Sequence, residues 1–175
     1  MEITMNREKI RTLTLTGVFT ALILVLTAFV HIPSYTGYVH VGDAFIFLAA
    51  ALLPAPYAVF AGAAGAVLSD VLTGYAMWAP ASFVIKTLIV LFFSRKEKKL
   101  ITKRNMLALI PSVLLTVGGY YLYEGIISGN FAAPVYGILG NVIQAVFSAA
   151  LFVVIGIALD KLRITSRIRM DSNRN

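Results

Sequence analysis

Long apolar runs separated by short polar links occupy most of this 175-residue chain. Apolar residues make up 59% of it, and its mean hydropathy is +0.84, well above that of soluble domains. A spanning helix needs about 20 residues, so about five or six spans use the chain and leave no room for a separate soluble domain. The sequence therefore predicts an all-α, polytopic membrane protein with one domain over residues 1–175. Disulfides and thiolate sites are excluded because the chain has no cysteine.

The apolar runs and the breakers between them predict a bundle of six transmembrane helices. These cover about residues 12–32, 42–54, 57–73, 79–94, 106–127 and 135–159. The first apolar run is longer than the core of a secretory signal, so we expect it to be retained as a helix. The polar segment from Ser34 to Asp43 is predicted to be an external loop. The small residues of the third helix predict that it is buried among other helices rather than facing lipid.

Positive charges are confined to three segments. Of the 15 Lys and Arg residues, three precede the first helix, six lie between Arg95 and Arg104, five follow Leu159, and the remaining one is Lys86. An even number of spans places those three segments on one side, which the positive-inside rule assigns to the cytoplasm. We therefore predict a multi-pass protein of the plasma membrane with both termini cytoplasmic. The basic pI is explained by these flanks, and no nucleic-acid partner is expected.

Four ionisable side chains remain in or near the apolar layer on the predicted outer half: Asp43, Asp70, Lys86 and Glu124. A charge at the bilayer centre costs at least about 2.5 to 3.5 kcal/mol, so these groups should face the protein interior. Lys86 lies roughly 12 Å of helical rise below the outer edge, where it needs an acceptor. Asp43 or Asp70 could supply it. Such a pair would be a permanent clamp between helices, a ligand contact, or both.

Aromatic and amide side chains gather on the same predicted side. They are Tyr35, Tyr38, His40, Tyr75, Trp78, Tyr120, Tyr121, Tyr123, Asn141 and Gln144. An interfacial belt is the alternative role for the tyrosines. Asn141 and Gln144 share a helix face and should point inward, toward another helix or a ligand. Because His40 has only His31 as a possible co-ligand, no metal site is expected. The pattern predicts an outward-open pocket for a small, planar, polar ligand.

Catalytic motifs are missing from the sequence. It contains no P-loop, no Gly-x-Ser-x-Gly and no pair of carboxylates at working spacing. We therefore expect a binding protein that is not an enzyme and needs no cofactor. Two alternatives of other classes remain. One is a small membrane enzyme that uses Asp43, Asp70 and Lys86, and the other is a self-sufficient carrier or channel.

The run from His40 to Leu88 resembles the core signature of the substrate-binding S components of energy-coupling factor (ECF) vitamin transporters. The matching residues are His40, Gly42, Asp43, Gly62, Gly65, Asp70, Gly74, Tyr75, Trp78, Pro80 and Lys86. Within that family the pattern is most similar to the branch for pyridoxine (vitamin B6) and hydroxymethylpyrimidine. Binders of riboflavin, pantothenate and a queuosine precursor are relatives. The resemblance implies high-affinity capture of a water-soluble vitamin or precursor from outside the cell.

The resemblance also implies partners. S components associate with a membrane coupling subunit (T component) and two cytoplasmic ATPase subunits, which would supply ATP hydrolysis, and they are thought to topple in the membrane. Family members contact the coupling subunit through an Ala-x-x-x-Ala pattern in the first helix. Its counterpart here is Gly17 and Ala21, a departure at the first position. Packing within the chain is the alternative for this pair.

Together these arguments define the candidate residues. For substrate binding they are His40, Asp43, Asp70, Tyr75, Trp78, Lys86, Tyr120, Glu124, Asn141 and Gln144, and for partner binding Gly17 and Ala21.

Overall fold

The computed structural model of the protein describes residues 7–33 and 38–165. Within these residues the helices are α1 (Arg7–Ala28), α2 (Gly42–Leu52), α3 (Ala55–Leu72), α4 (Ala79–Phe92), α5 (Lys103–Ser128) and α6 (Val135–Lys161). A short antiparallel hairpin of β1 (His31–Pro33) and β2 (Tyr38–His40) joins α1 to α2, and a 3-10 turn over Ala76–Trp78 precedes α4. The predictions for Tyr35 and for the basic tail beyond residue 165 lie outside the described residues.

Four of the helices, α1, α3, α5 and α6, are long and apolar enough to cross a bilayer, and two apolar helices are shorter. The shortest is α2, whose 11 residues rise only about 16 Å, roughly half the thickness of the hydrocarbon layer. The chain is therefore an all-α, polytopic membrane protein, as the sequence predicts.

The connection between α1 and α2 differs from the predicted loop. α1 ends at Ala28, before the predicted end near residue 32, because residues 31–33 pair with residues 38–40. His31 lies opposite His40 in this register. The segment predicted as an irregular external loop therefore ends in a strand that leads directly into α2.

Three helices begin earlier than their apolar runs: α1, which includes Arg7 in its first turn, and α3 and α5, whose starts have a visible local cause. α3 begins at Ala55, because Pro54 precedes the helix and Pro56 lies in its first turn, where a missing N–H group costs nothing. α5 begins at Lys103, because the side chain of Thr102 accepts a hydrogen bond from the backbone N–H of Asn105. In both cases the helix start is decided by local chemistry that hydropathy does not detect.

α2 lies at the centre of the bundle. All of its residues except Phe45 are buried, and it packs against α1, α3, α4 and α6. Around it, α1 packs on α3, α3 on α4, α4 on α5 and α5 on α6. A helix enclosed in this way is apolar on every side, which explains the uninterrupted apolar run that follows Asp43 in α2.

α3 turns its small residues toward α1 and α2. A Cβ atom added at Gly65 would lie 2.8 Å from the side chain of Ile23 in α1, and one at Gly62 would lie 3.2 Å from Ile46 in α2. The opposite face of α3 exposes Phe60 and other large apolar residues. The predicted burial of this helix is therefore right for its small-residue face and wrong for the helix as a whole.

Close approach of α1 and α3 should make Gly65 intolerant of a side chain. We expect Gly65→Ala to lower the free energy of unfolding by about 1 to 3 kcal/mol, because the new methyl group meets Ile23 and the backbone of α1. Gly118→Ala is the matched control, since a Cβ atom there meets nothing within 4 Å. Thermal unfolding in detergent measures both variants, and equal midpoints would contradict this packing.

Candidate functional site

A buried ion pair joins α2 to α4. The Nζ atom of Lys86, in the middle of α4, lies 2.8 Å from Oδ1 and 2.9 Å from Oδ2 of Asp43, in the first turn of α2. Each side chain is only 1% exposed. Asp70, buried near the end of α3, adds a second attractive charge to Lys86. The sequence predicts either Asp43 or Asp70 as the acceptor for Lys86, and the direct partner in the structure is Asp43.

Gln144 of α6 ties the ion pair to the hairpin. Its Nε2 atom donates to Oδ2 of Asp43 at 3.1 Å, and its Oε1 atom accepts the backbone N–H of His40 at 3.3 Å. Because Gln144 is only 2% exposed, both ends of its amide need these partners. The ion pair and Gln144, here called the buried centre, thus bring together segments that are far apart in sequence.

His40 lies in β2, outside the helices, and its burial decides its charge. Loss of hydration lowers the pKa of His40 from 6.5 to about 4, with Asp43 opposing this shift and Lys86 adding to it. The imidazole is therefore neutral near pH 7. In that state its Nδ1 atom accepts the backbone N–H of Gly42 at 3.1 Å, which fixes the start of α2.

Tyr120 connects the buried centre with an aromatic cluster of Trp78, Tyr120 and Tyr123. The Nζ atom of Lys86 lies 5.2 Å from the centroid of the Tyr120 ring, within the range of a cation–π interaction. The hydroxyl groups of Tyr120 and Ser82 lie 2.9 Å apart. The Trp78 ring centroid lies 6.2 Å from that of Tyr120 and 5.9 Å from that of Tyr123, so the three rings form one contiguous surface.

The tyrosines of α5 have different partners. The hydroxyl group of Tyr123 donates to the backbone carbonyl of Met77 at 2.6 Å and so holds α5 against the 3-10 turn. The ring of Tyr121 packs on the ring of Phe131, and its hydroxyl group donates a hydrogen bond to the backbone carbonyl of Phe131 at 3.1 Å. Tyr121 therefore belongs to the link between α5 and α6, and its two neighbours Tyr120 and Tyr123 belong to the aromatic cluster.

The other candidate residues lie on adjacent turns. The backbone N–H of Tyr75 donates to the carbonyl of Asp70 at 2.8 Å, which places the half-buried tyrosine just beyond the end of α3. Glu124 lies one turn past Tyr120 on α5, and Asn141 one turn before Gln144 on α6; both are half-buried. Their contribution to binding stays a prediction.

Sequence reasoning missed Ser82. It lies four residues before Lys86 on α4, so the two side chains share a helix face. A hydroxyl group one turn from a buried lysine is a usable signal, because both need polar partners in the same apolar surroundings. Tyr123 of the aromatic cluster is the second residue that the sequence does not single out as a site residue, although it lies on the same face of α5 as Tyr120.

Gly17 and Ala21 lie on an exposed face of α1. Within residues 7–33 and 38–165, a Cβ atom added at Gly17 would meet nothing within 4 Å. Gly17 therefore makes no close packing contact with the described part of the chain, and a role of this pair in partner binding stays a prediction.

Comparison with known families extends the argument from single residues to the chain. A family model described as "ECF-type riboflavin transporter, S component" matches residues 7–161. The matched range includes α1 through α6 and every candidate site residue. No curated protein gives a match.

The ion pair should behave as one unit in stability measurements. Asp43→Asn should lower the free energy of unfolding by about 3 to 5 kcal/mol, because it removes the only counter-charge in direct contact with the buried ammonium group of Lys86 among the described residues. The double variant Asp43→Asn/Lys86→Met removes both charges and should recover most of that loss. Chemical unfolding in detergent provides the measurement. Additive losses in the double variant would show that the two charges do not stabilise each other.

Acid should destabilise the fold through His40. Its pKa is about 4 in the folded state and 6.5 when unfolded, so the unfolded state binds more protons between these values. The stabilisation is complete above pH 6.5 and is lost as the pH falls toward 4, by roughly 3 kcal/mol in total. Unfolding midpoints measured at successive pH values should show a weaker acid dependence in His40→Gln than in His31→Gln. Equal slopes in the two variants would count against this role of His40.

Proposed function

This chain belongs to the ECF-type riboflavin transporter S-component family, and we propose that its buried centre and aromatic cluster form the vitamin-binding site. Membership makes the protein a substrate-binding subunit of an ECF-type vitamin importer in a prokaryotic cell membrane. The family also implies a T component and ATPase subunits as partners. The ATPase subunits would hydrolyse ATP, and the chain itself would catalyse no reaction.

The observation that carries the site proposal is the position of Tyr120. Its ring lies 5.2 Å from the Nζ atom of Lys86, and its centroid lies 6.2 Å from that of Trp78, so one ring contacts both the ion pair and the aromatic cluster. A planar ligand that stacks on the aromatic cluster would therefore bring its ring substituents next to Lys86, Asp43 and Gln144. Those three side chains offer an ammonium donor, a carboxylate acceptor and an amide that both donates and accepts. Ring stacking and directional hydrogen bonds would then act on the same small molecule.

The ligand that this geometry favours is a hydroxylated pyridine or pyrimidine, hence pyridoxine or hydroxymethylpyrimidine. Each carries a single aromatic ring with hydroxyl or amino groups and ring nitrogens, which match the mixed donors and acceptors of the buried centre. A site built for such hydrogen bonds rejects analogues that lack them, because its own buried polar groups would be left unpaired.

Riboflavin is the second candidate. The description of the matching family names riboflavin, whose ring system would also stack on Trp78 and Tyr120. A queuosine precursor has a planar heterocycle as well. Pantothenate has no aromatic ring and would make no use of the cluster.

Access to the buried centre would require movement of side chains. Asp43 and Lys86 are each 1% exposed, whereas Trp78 and Tyr120 are half-buried. We infer that the ligand displaces the Tyr120 ring from Lys86 and then takes over part of the hydrogen bonding of the ion pair. The ion pair would thus be both the clamp of the empty protein and a contact of the bound ligand.

The same proposal includes the topology and the partner surface. Six membrane crossings with cytoplasmic termini agree with the distribution of Lys and Arg, and α2 can be short because protein surrounds it. The exposed Gly17 and Ala21 would offer the T component a close approach to α1. A carrier that works alone is the competing reading, and accumulation of solute by proteoliposomes containing only this chain would favour it.

Trp78 is the only tryptophan of the chain, so intrinsic fluorescence should report binding directly. We expect purified protein to give a saturable change with pyridoxine or hydroxymethylpyrimidine in the absence of ATP. Lys86→Met should weaken that binding at least about tenfold, or about 1.4 kcal/mol, because the ligand loses a hydrogen bond from the ammonium group. Tyr120→Leu should weaken it as well, and the matched variant Tyr121→Leu should not, because Tyr121 lies outside the aromatic cluster. Calorimetry provides the independent measurement of affinity.

Other outcomes separate the alternatives. Saturation by riboflavin but not by pyridoxine or hydroxymethylpyrimidine would replace the first candidate by the second. Unchanged affinity in Lys86→Met together with reduced stability would restrict the ion pair to a structural clamp. Folded protein that binds no member of a panel of these ligands, pantothenate and a queuosine precursor would overturn the site.

A further inference from the structure

A groove opens at the end of the bundle that carries the α4–α5 loop, away from the buried centre. It has a volume of about 620 Å³ and lies between the end of α4, the loop and the first turns of α5. Its apolar part includes Leu91, Phe92, Leu107 and Pro111. Leu91 is 55% exposed and Leu107 54%. In a membrane protein such side chains face lipid, so an acyl chain can lie along them.

Charged side chains form the rim of this groove. They are Glu97 in the loop and Lys103 and Arg104 in the first turn of α5, and all three are exposed. Among the residues that the structure describes, neither cation forms an ion pair. The rim therefore carries an excess of positive charge directly beside an apolar surface.

Two polar side chains hold the loop in place. The side chain of Asn105 donates to the carbonyls of Ser94 and Leu100, at 3.0 Å each, and accepts the N–H of Ser94 at 2.8 Å. The carboxylate of Asp160, near the end of α6, accepts the N–H groups of Leu100, at 2.9 Å, and of Ile101, at 3.0 Å. The backbone that carries the rim is thus ordered before any ligand arrives, which lowers the entropic cost of binding.

We propose that this groove is a binding site for one anionic glycerophospholipid. The phosphate lies against Lys103 and Arg104, which match its charge and its acceptor oxygens, and one acyl chain lies along Leu91 and Leu107. Glu97 offers an acceptor for a hydroxyl group of the headgroup, as in phosphatidylglycerol. Phosphatidylcholine has no net charge and no headgroup hydroxyl group to donate to Glu97, so the net positive charge of the rim favours the anionic lipid. The charge distribution of the sequence assigns this end to the cytoplasmic leaflet, whose anionic lipids attract basic segments.

Native mass spectrometry of the full chain, released from detergent after addition of a single probe, tests this site. The probes are phosphatidylglycerol, phosphatidylcholine and inorganic phosphate. We expect one retained phosphatidylglycerol and much weaker retention of phosphatidylcholine. Lys103→Gln/Arg104→Gln should lower the apparent affinity for phosphatidylglycerol on the order of 20-fold. Lys98→Gln/Lys99→Gln, which removes the same charge from the same loop outside the groove, should change it by no more than a few-fold.

A second variant tests the apolar part separately. Leu107→Asn keeps both cations and should also weaken the binding of phosphatidylglycerol, because it places an amide against the acyl chain. Equal retention of the two lipids, equal losses in the two double variants, or full competition by inorganic phosphate would overturn the proposal. Circular dichroism identifies any variant that fails to fold. Vitamin binding is not measured in this test. The lipid site can therefore be overturned without affecting the proposed function, and the proposed function can be overturned without affecting the lipid site.

Discussion

The ion pair between Asp43 and Lys86 is the interaction on which the arrangement of the helices depends. Neither charge is stable alone in an apolar bundle, because removal of one partner leaves an uncompensated buried ion. α2 and α4 must therefore remain side by side, with these two residues at the same depth. Gln144 on α6 and Tyr120 on α5 approach the same pair. Four helices are thus oriented around one point.

In the site that we propose, stability and recognition use the same groups, because the same point contacts both the hairpin and the aromatic cluster. Gln144 bonds Asp43 at one end and the backbone of His40 at the other. A ligand that replaces one of these bonds must supply an equivalent bond, or a buried polar group is left unpaired. This requirement favours a ligand with several closely spaced donors and acceptors on one ring. It would also make the proposed binding site of a short chain selective.

The two ends of the bundle differ in their physical chemistry. At the end with the hairpin, the charges of the site are few, paired and buried. At the other end, Lys103 and Arg104 are exposed beside apolar side chains. Asn105 and Asp160 hold the α4–α5 loop, which precedes these two cations, through hydrogen bonds. In our proposals this contrast orients the protein in the membrane and gives each end a different kind of ligand. We assign a small vitamin to one end and an anionic lipid to the other.

The residue pattern was sufficient to predict the membrane class, the all-α fold, and Asp43, Lys86 and Gln144 as groups that must face inward. A polar side chain in an apolar run has few stable environments, so its presence is informative without a structure. Spacing along one helix also shows which residues share a face. It does not show which helix faces meet. Helix packing alone therefore decided four features: the choice of Asp43 over Asp70, the contact of Ser82 with Tyr120, the central position of α2 and the groove beside Lys103. The hairpin was missed for the same reason, since its pairing joins residues whose local sequence indicates only a loop.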